Sequence, residues 1–424
     1  MSMSIKRAVL TLAALGSVSV PTLAGAAGPS PTDTVASTTA SAPIPDENPM
    51  TVDWVQPDFV DDPVNPVHQF TPEAGQTGAT DRVTPTVMRV DDKIANPLDR
   101  WYLWVWRHGG PDIYDANHGG RMDLLTAPRL EGPWTDHGFI TPANPDPAGY
   151  GPYSWTGGDV VWSPLHQKFY SFPHAHKNGC VAGGSGPCSL DMFEQESTDG
   201  INWTTINGGL PVVPAGPSSY DAFETGYAKV IRVDQPDGTE KWVMVYRSGR
   251  HCSTCTDGTK EYYTLSVATA NDVTGPWTKA SYNPIYDPFI GDATGQNKGG
   301  GLIGIDALVR YHGYYEMLWQ DFLGEIYLTR SLDLRDWKDF APIAGTQNLR
   351  PIGRHRNAPI FTSPRGPNDV VTVGADLVYD DQVGALTLLY LTWDAAQLEA
   401  PPGKVSVNIA RSLSGGEPLV GRND

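Results

Sequence analysis

Hydrophobic positions along this chain fall in short runs and show no long helical periodicity. The runs are rich in β-branched and aromatic residues and are separated by Gly, Pro, Asn and Asp, which is the pattern of strands joined by turns. Five times, an apolar run ends in a turn and an aromatic run follows. The sequence therefore predicts five strand pairs: residues 86–90 with 101–106, 159–162 with 169–172, 226–231 with 242–246, 306–309 with 314–319, and 375–379 with 386–391.

A second motif follows each pair and ends, in four cases, in a tryptophan. These are Trp134, Trp203, Trp277 and Trp337, and residues 409–413 close the series without one. Self-similarity of this kind is typical of propellers and solenoids. The sequence thus predicts an all-β protein, a five-bladed β-propeller of four-stranded antiparallel blades, with a β-sandwich as the alternative. The four tryptophans are expected to pack within and between blades.

Composition supports a β protein and narrows its partners. The chain has 424 residues, with 30 Lys and Arg against 48 Asp and Glu, so its net charge is −18. Nucleic-acid binding is disfavoured because it needs a basic surface. The 45 Gly and 37 Pro indicate many turns, and the 13 Trp and 18 Tyr offer aromatic surfaces. A helical bundle or a disordered chain would not have this composition.

The N-terminus has the features of a secretion signal. Lys6 and Arg7 precede an apolar run over residues 8–23, and residues 24–26 form a small-residue cleavage site. We expect a signal peptide over residues 1–26, a Ser/Thr/Pro-rich linker over 27–48 and the propeller over 49–424, with an N-terminal extension at 49–79. The mature protein is then secreted, extracellular and not membrane-bound. A membrane anchor is the alternative for the apolar run.

Four cysteines fit an oxidising compartment. Cys180 and Cys188 lie in one predicted loop, and Cys252 and Cys255 lie in another. Four cysteines allow three pairings, which the sequence cannot distinguish. Local disulfides are expected, and a four-thiolate zinc site or a redox motif at residues 252–255 are the alternatives.

The topology of a propeller places a functional funnel. In each blade the start of the first strand and the loop after the second strand lie on the same face, and the first strands line the axis. Carboxylates occur near all five first-strand starts: Asp81, Asp159, Glu224, Asp306 and Asp376. The second-strand ends supply Arg107, His108, His174, His176, Arg247, His251, Gln320 and Trp393, and Tyr227 and Trp319 add aromatic rings to the predicted substrate-binding set.

Paired carboxylates in a concave aromatic site suit glycosidic bond cleavage. One protonated carboxyl group donates to the glycosidic oxygen, and one ionised carboxylate activates water or attacks the anomeric carbon. Burial and neighbouring charge separate the two pKa values, so that both roles coexist at neutral pH. A poly- or oligosaccharide is therefore the expected partner, and the protein is expected to act as a monomer.

The five repeats, the Gly-Pro-Trp turns at residues 132–134 and 275–277, and the turn at 331–337 resemble the five-bladed propeller glycoside hydrolases. This superfamily includes family 43 arabinanases and xylosidases, with invertases and levansucrases. By blade order the resemblance implies a base at Asp81, a pKa-tuning residue at Asp159 and a general acid at Glu224, with Asp306 in reserve. No cofactor is required, but the resemblance implies a structural calcium ion on the axis.

Two alternatives remain open for the histidines and arginines. His174 and His176 have a spacing that suits two metal ligands on a strand end, although hydrogen bonds to sugars or carboxylates would also explain them. The arginines either counter the carboxylates or bind an acidic sugar. Besides a hydrolase, the sequence is thus compatible with a non-catalytic glycan-binding propeller or with an enzyme acting on an anionic glycan.

Overall fold

The structure is a computed structural model, and it describes residues 59–70, 81–108, 121–140, 150–177, 190–234, 239–251, 261–286, 302–311, 313–321, 325–337, 340–342, 349–351, 361–362, 369–394 and 405–412. Antiparallel sheets form a ring of five blades, which confirms the predicted five-bladed β-propeller. The predicted signal peptide, the linker and all four cysteines lie outside the described residues. Within the described part, no helix is long and apolar enough to cross a membrane.

All five predicted strand pairs are present as the first two strands of a blade. Blade 1 contains Asp81–Arg89, Trp101–His108, Arg121–Ala127 and Thr135–Phe139. Blade 2 contains Val160–Ser163, Lys168–Ser171, Gln195–Ser197 and Thr204–Thr205. Blade 3 contains Glu224–Asp234, Glu240–His251, Glu261–Ala270 and Thr278–Lys279. Blade 4 contains Leu302–Tyr311, Tyr314–Asp321, Glu325–Ser331 and Phe361–Thr362, and blade 5 contains Asp369–Asp380, Ala385–Asp394 and Val405–Ser412.

The N-terminal extension completes blade 5. Strands Phe59–Asp61 and His68–Gln69 both pair antiparallel with Val405–Ser412 as the outer edge of that sheet. Arg411 anchors this edge, since its guanidinium donates to Asp62, to Asp380 and to Glu131 of blade 1. The sequence predicted an N-terminal extension at residues 49–79, and the structure shows that residues 59–61 and 68–69 of it form the outer edge of blade 5.

Blade 2 has an extension that the sequence did not predict. Strands Tyr150–Thr156, His174–Lys177 and Leu190–Met192 pair with one another beyond the blade itself. Leu190 then forms a parallel bridge with Glu224, the first residue of blade 3. One sheet of seven strands therefore joins the extension of blade 2 to blade 3 beside Glu224.

The core lies between the blades. Successive side chains of an inner strand point to opposite faces of its sheet, and each face packs against a different neighbouring blade, so both faces are apolar. In the second strand of blade 1, Leu103 packs against blade 5, whereas its neighbour Trp104 packs against blade 2. Trp134, Trp203 and Trp337 are buried in such clusters, and Trp277 packs at the edge of the cluster between blades 2 and 3. The expected packing role of the repeated tryptophans is thereby confirmed.

The repeated turns adopt repeated structures. In blades 2 and 4, Ser197 and Ser331 each donate a hydrogen bond of 2.9 Å to an aspartate two residues later. That aspartate then accepts two backbone N–H bonds in both turns. In blades 1 and 3, Gly132 and Gly275 share a φ of +89° before the same Pro-Trp pair. Two 3₁₀ turns, Asn207–Gly209 and Ser219–Asp221, complete the described elements, with a separate hairpin of Phe340–Pro342 and Leu349–Pro351.

Candidate active site

The first strands of blades 1 and 3 begin with a carboxylic residue at the same structural position. Asp81 pairs with His108 and Glu224 pairs with Gly249, so both starts lie beside the end of the second strand, as predicted. Each strand then contains a bulge of one extra residue, between Val83 and Thr86 in blade 1 and between Gly226 and Lys229 in blade 3. We call Asp81 and Glu224 the upper carboxylates.

Sequence after the bulge confirms that these strands are equivalent. Residues 87–91 read Val-Met-Arg-Val-Asp, and residues 230–234 read Val-Ile-Arg-Val-Asp. In both bulges a residue other than glycine has left-handed backbone: Thr84 with a φ of +45° and Tyr227 with a φ of +49°. Asp81 and Glu224 therefore occupy matching register positions, five residues before Thr86 and Lys229.

A second and deeper layer of polar side chains surrounds the axis. It contains one residue of each blade, at the position directly before the buried apolar run of the first strand: Thr86, Asp159, Lys229, Asp306 and Asp376. We call this set the axial layer. Its aspartates accept backbone N–H bonds from neighbouring blades, at 2.8 Å from Val230 to Asp159, 3.0 Å from Ala375 to Asp306 and 2.8 Å from Val87 to Asp376.

Asp159 accepts hydrogen bonds from three neighbouring residues. Besides the bond from Val230, it accepts a hydrogen bond of 3.2 Å from the Thr86 hydroxyl and one of 3.4 Å from the Lys229 ammonium. Its side chain has no solvent exposure. These contacts join blades 1, 2 and 3, and they are typical of a structural carboxylate rather than of one that meets a substrate.

Asp306 differs because one of its oxygens has no hydrogen-bond partner among the described residues. Oδ1 accepts from Ala375, whereas Oδ2 is buried and unpaired. Burial raises the pKa of Asp306 to about 7, while the Ala375 N–H and the Lys229 ammonium act in the opposite direction and Asp376 adds to the increase. Asp306 is thus a proton-binding group of the axial layer.

Glu224 is buried, with 2% of its surface exposed, and it forms an ion pair with Arg247. The Nε of Arg247 donates to Oε1 of Glu224 at 2.5 Å. Burial lowers the pKa of Arg247, but Glu224 and two tyrosines more than offset this effect, so that the pKa is raised and the guanidinium stays charged. Such a contact stabilises the anionic form of Glu224.

Aromatic rings hold this arginine in place. The guanidinium carbon of Arg247 lies 3.8 Å from the ring centre of Tyr227 and 4.0 Å from that of Tyr263. The imidazole of His174 lies 4.4 Å from the centre of the Tyr227 ring. His174 and Arg247 therefore both contact the ring of Tyr227. These contacts occupy part of the ring surface, and the predicted role of Tyr227 in sugar binding stays a prediction.

The remaining predicted residues fall in two groups. The second-strand residues Trp319 and Gln320 of blade 4 are 2% exposed, and Trp319 belongs to the core between blades 3 and 4, which argues against sugar stacking. For the others, the structure describes the strand positions but not the side chains: Asp81, Arg107, His108, His176, His251 and Trp393. Their roles stay predictions.

The axial layer does not fit the calcium ion that the resemblance implies. The ammonium of Lys229 already supplies a positive charge to Asp159 and acts electrostatically on Asp306. Among the residues that the structure describes, no group of three or more His, Cys, Asp and Glu side chains could hold a metal ion. We therefore assign no step to a metal.

Sequence reasoning missed two residues of this region, Lys229 and Tyr263. The repeat of residues 87–91 at 230–234 would have aligned Lys229 with Thr86 and so placed it on the axis. Tyr263 lies on the third strand, where its contact with Arg247 depends on strand register and left no sequence signal.

Comparison with solved structures shows the fold. A structure from Bacteroides ovatus ATCC 8483, assigned provisionally to the glycoside hydrolases, is 13% identical with a TM-score of 0.52, over 86% of this chain and 99% of that one. A structure reported with family 130 hydrolases that target β-1,2-mannosidic linkages in Candida mannan is 13% identical, with a TM-score of 0.51 over 87% and 98%.

The family 117 glycoside hydrolase Zg3597 of Zobellia galactanivorans is 14% identical, with a TM-score of 0.50 over 83% of this chain and 92% of that one. No protein-family model and no curated protein matches the chain. The chain thus has the five-bladed fold that occurs in glycoside hydrolases of several families.

Proposed function

We propose that the protein is a secreted glycoside hydrolase that cleaves a poly- or oligosaccharide at the funnel, and that the upper carboxylates Asp81 and Glu224 are its catalytic pair. The observation that carries this proposal is their matching position at the start of two first strands, each followed by the same bulge. Two carboxyl groups that flank a sugar are what hydrolysis of a glycosidic bond requires. The fold shared with glycoside hydrolases supports the proposal.

Asp159 and Asp306 then serve the site indirectly. Both lie in the axial layer, where they accept backbone N–H bonds between blades. We assign them to the support of the first strands that begin at the upper carboxylates. The family resemblance implies pKa tuning by Asp159 and keeps Asp306 in reserve as a catalytic carboxylate.

The contact of Arg247 with Glu224 affects which of the two upper carboxylates acts as the acid and which as the base or nucleophile. In the free protein it stabilises the anion of Glu224, as suits a base or a nucleophile. The acid role that the resemblance implies for Glu224 requires this contact to loosen when substrate binds. Arg247 is also committed to Glu224 and to two tyrosine rings, which weakens the hypothesis that it binds an anionic sugar.

The test begins with cleavage by the purified protein across plant, algal and microbial polysaccharides. Glu224→Gln and Asp81→Asn should each lower kcat by about 100-fold or more, the usual contribution of an acid–base group. Glu240→Gln, at the opposite end of blade 3, is the matched control and should retain activity. If Glu224→Gln and Glu240→Gln behave alike, the assignment is wrong.

Aryl glycosides of the identified sugar separate the two roles. Loss of the general acid is tolerated when the leaving group is already acidic, because it needs no proton. The variant whose activity survives on a dinitrophenyl glycoside lacks the acid, and the variant whose activity is lost on every leaving group lacks the base or nucleophile.

A non-catalytic glycan-binding propeller is the second candidate. The pairing of Glu224 with Arg247 favours it, since a binding site needs carboxylates only as hydrogen-bond acceptors. Calorimetric binding of an oligosaccharide without any cleavage would establish this function.

Secretion is tested by N-terminal sequencing of protein from the medium, which should begin near residue 27.

A further inference from the structure

His174 is held between glycines of two blades. Its side chain is 1% exposed. A Cβ atom on Gly157 of blade 2 would lie 2.4 Å from Cε1 of His174, and one on Gly226 of blade 3 would lie 3.1 Å from Cγ. Only glycine leaves room for the imidazole at Gly157, whose φ of +56° also favours glycine. The position of this ring is therefore fixed from both sides.

The imidazole is also oriented by the backbone of Tyr227. The N–H of Tyr227 donates to Nδ1 of His174 at 3.2 Å, so Nδ1 carries no proton. This bond reaches the bulge of blade 3, where Tyr227 has left-handed backbone that costs a residue with a side chain about 1–2 kcal/mol. Blades 2, 4 and 5 place Gly157, Gly304 and Gly374 at the same position before the axial layer.

Three of the other four blades have glycine at this position and blade 1 has Thr84, so a residue as large as tyrosine calls for an explanation, and its contacts supply one. The ring of Tyr227 contacts both the imidazole of His174 and the guanidinium of Arg247, and the guanidinium also contacts the ring of Tyr263. These four side chains, which we call the stack, contact one another in the order His174, Tyr227, Arg247, Tyr263. The Nε of Arg247 points out of this stack to Oε1 of Glu224.

We infer that His174, Tyr227 and Tyr263 are positioning residues, which fix Arg247 so that it holds the carboxylate of Glu224 in one orientation and charge state. The inference rests on the proposed function of Glu224 and adds residues to it. The stack restricts the rotation of the guanidinium about its side-chain bonds, while each ring face stabilises its charge. Without the stack, Arg247 and Glu224 would share several arrangements.

Tyr227→Gly is the decisive variant because it introduces the residue that three other blades have at this position. It removes the backbone strain together with the ring, so the protein is expected to fold. We expect kcat to fall at least fivefold with KM changed less than twofold, because orientation of Glu224 is lost and no sugar contact is. A rise in KM at unchanged kcat would show that Tyr227 binds substrate and would overturn the inference.

Two further variants separate the ring from the backbone. Thr84→Gly makes the same backbone change in the equivalent bulge of blade 1, and its kcat should stay close to that of the wild type. Tyr263→Leu should lower kcat in the same way as Tyr227→Gly, and Tyr263→Phe, which keeps the ring face, should restore most of the loss. Equal kcat values for Tyr263→Leu and Tyr263→Phe would contradict a role of the ring.

A readout that does not depend on cleavage keeps the inference apart from the proposed function. The ¹³C resonance of the Glu224 carboxyl, assigned with Glu224→Gln, should titrate at higher pH in Tyr227→Gly than in the wild type, since Arg247 no longer holds the anion. If the wild type cleaves no glycan, this shift still supports the positioning role. An unchanged titration overturns it, whatever the activity.

Discussion

Asp306 makes the stability of the propeller depend on pH, and Asp306→Asn tests this. The folded protein raises the pKa of this carboxyl to about 7, because the group is buried and Asp376 adds a repulsive charge, whereas its ordinary value is 3.8. A raised pKa in the folded state means that the folded protein binds the proton more tightly than the unfolded chain does. Stability is therefore fully present below pH 3.8 and is lost as the pH rises through about 7.

The size of the effect follows from the pKa difference. Each pKa unit corresponds to about 1.4 kcal/mol, so the loss amounts to about 4 kcal/mol in total. About 3 kcal/mol of it falls between pH 5 and pH 8. Asparagine cannot ionise, and its side-chain oxygen can still accept the Ala375 N–H. The variant thus removes the pH-dependent loss whatever its constant effect on packing.

Urea unfolding, followed by tryptophan fluorescence at several pH values, measures the free energy of unfolding of both proteins. The difference between Asp306→Asn and the wild type should grow in favour of the variant by about 3 kcal/mol from pH 5 to pH 8. The exposed Asp136→Asn serves as the control and should show no such trend. Parallel pH curves for Asp306→Asn and the wild type would refute a buried, proton-binding Asp306.

Two further changes test the architecture. Gly157→Ala should destabilise the protein by more than about 3 kcal/mol, because the new methyl group meets His174 at 2.4 Å, whereas Gly313→Ala has a similar φ of +81° with open space and should cost about 1–2 kcal/mol in urea unfolding. Equal costs would contradict the clamp on His174. Arg411→Met leaves Asp380 buried without its cation and should cost about 3 kcal/mol, with faster hydrogen exchange at residues 59–70 than in the wild type. Unchanged hydrogen exchange at residues 59–70 would show that Arg411 does not anchor the outer edge of blade 5.

The fold was predictable because each blade repeats the same sequence pattern of strands and turns. Each inner strand is buried on both faces, so its residues are apolar in sequence, and the turns that follow repeat in detail. The outer strands of blade 5 could not be predicted in this way. Residues 59–61 and 68–69 pair with a strand more than 300 residues away. No local sequence pattern indicates this partner, which is determined by the position of the last blade beside the first.

The sequence predicted the region of the site but not the division of its carboxylates into two layers. Every first strand has a carboxylate near its start, and the sequence does not indicate how deep in the funnel each one lies. The structure divides them into two layers, because Asp159, Asp306 and Asp376 come directly before the buried apolar run of their strands, whereas Asp81 and Glu224 lie five residues before the equivalent positions, Thr86 and Lys229. A bulge inserts one residue and shifts the register, and neither composition nor periodicity reveals it.

Two types of blade alternate over the first four blades, and both upper carboxylates belong to one type. Blades 1 and 3 share the Gly-Pro-Trp turn, the Arg-Val-Asp end of the first strand and a bulge with a left-handed residue other than glycine. Blades 2 and 4 share the Ser-x-Asp turn and have Gly157 and Gly304 before the axial layer. Blade 2 stands between Asp81 of blade 1 and Glu224 of blade 3. As the proposed catalytic pair, these two carboxyl groups must lie roughly 5–10 Å apart across that blade, with the sugar between them.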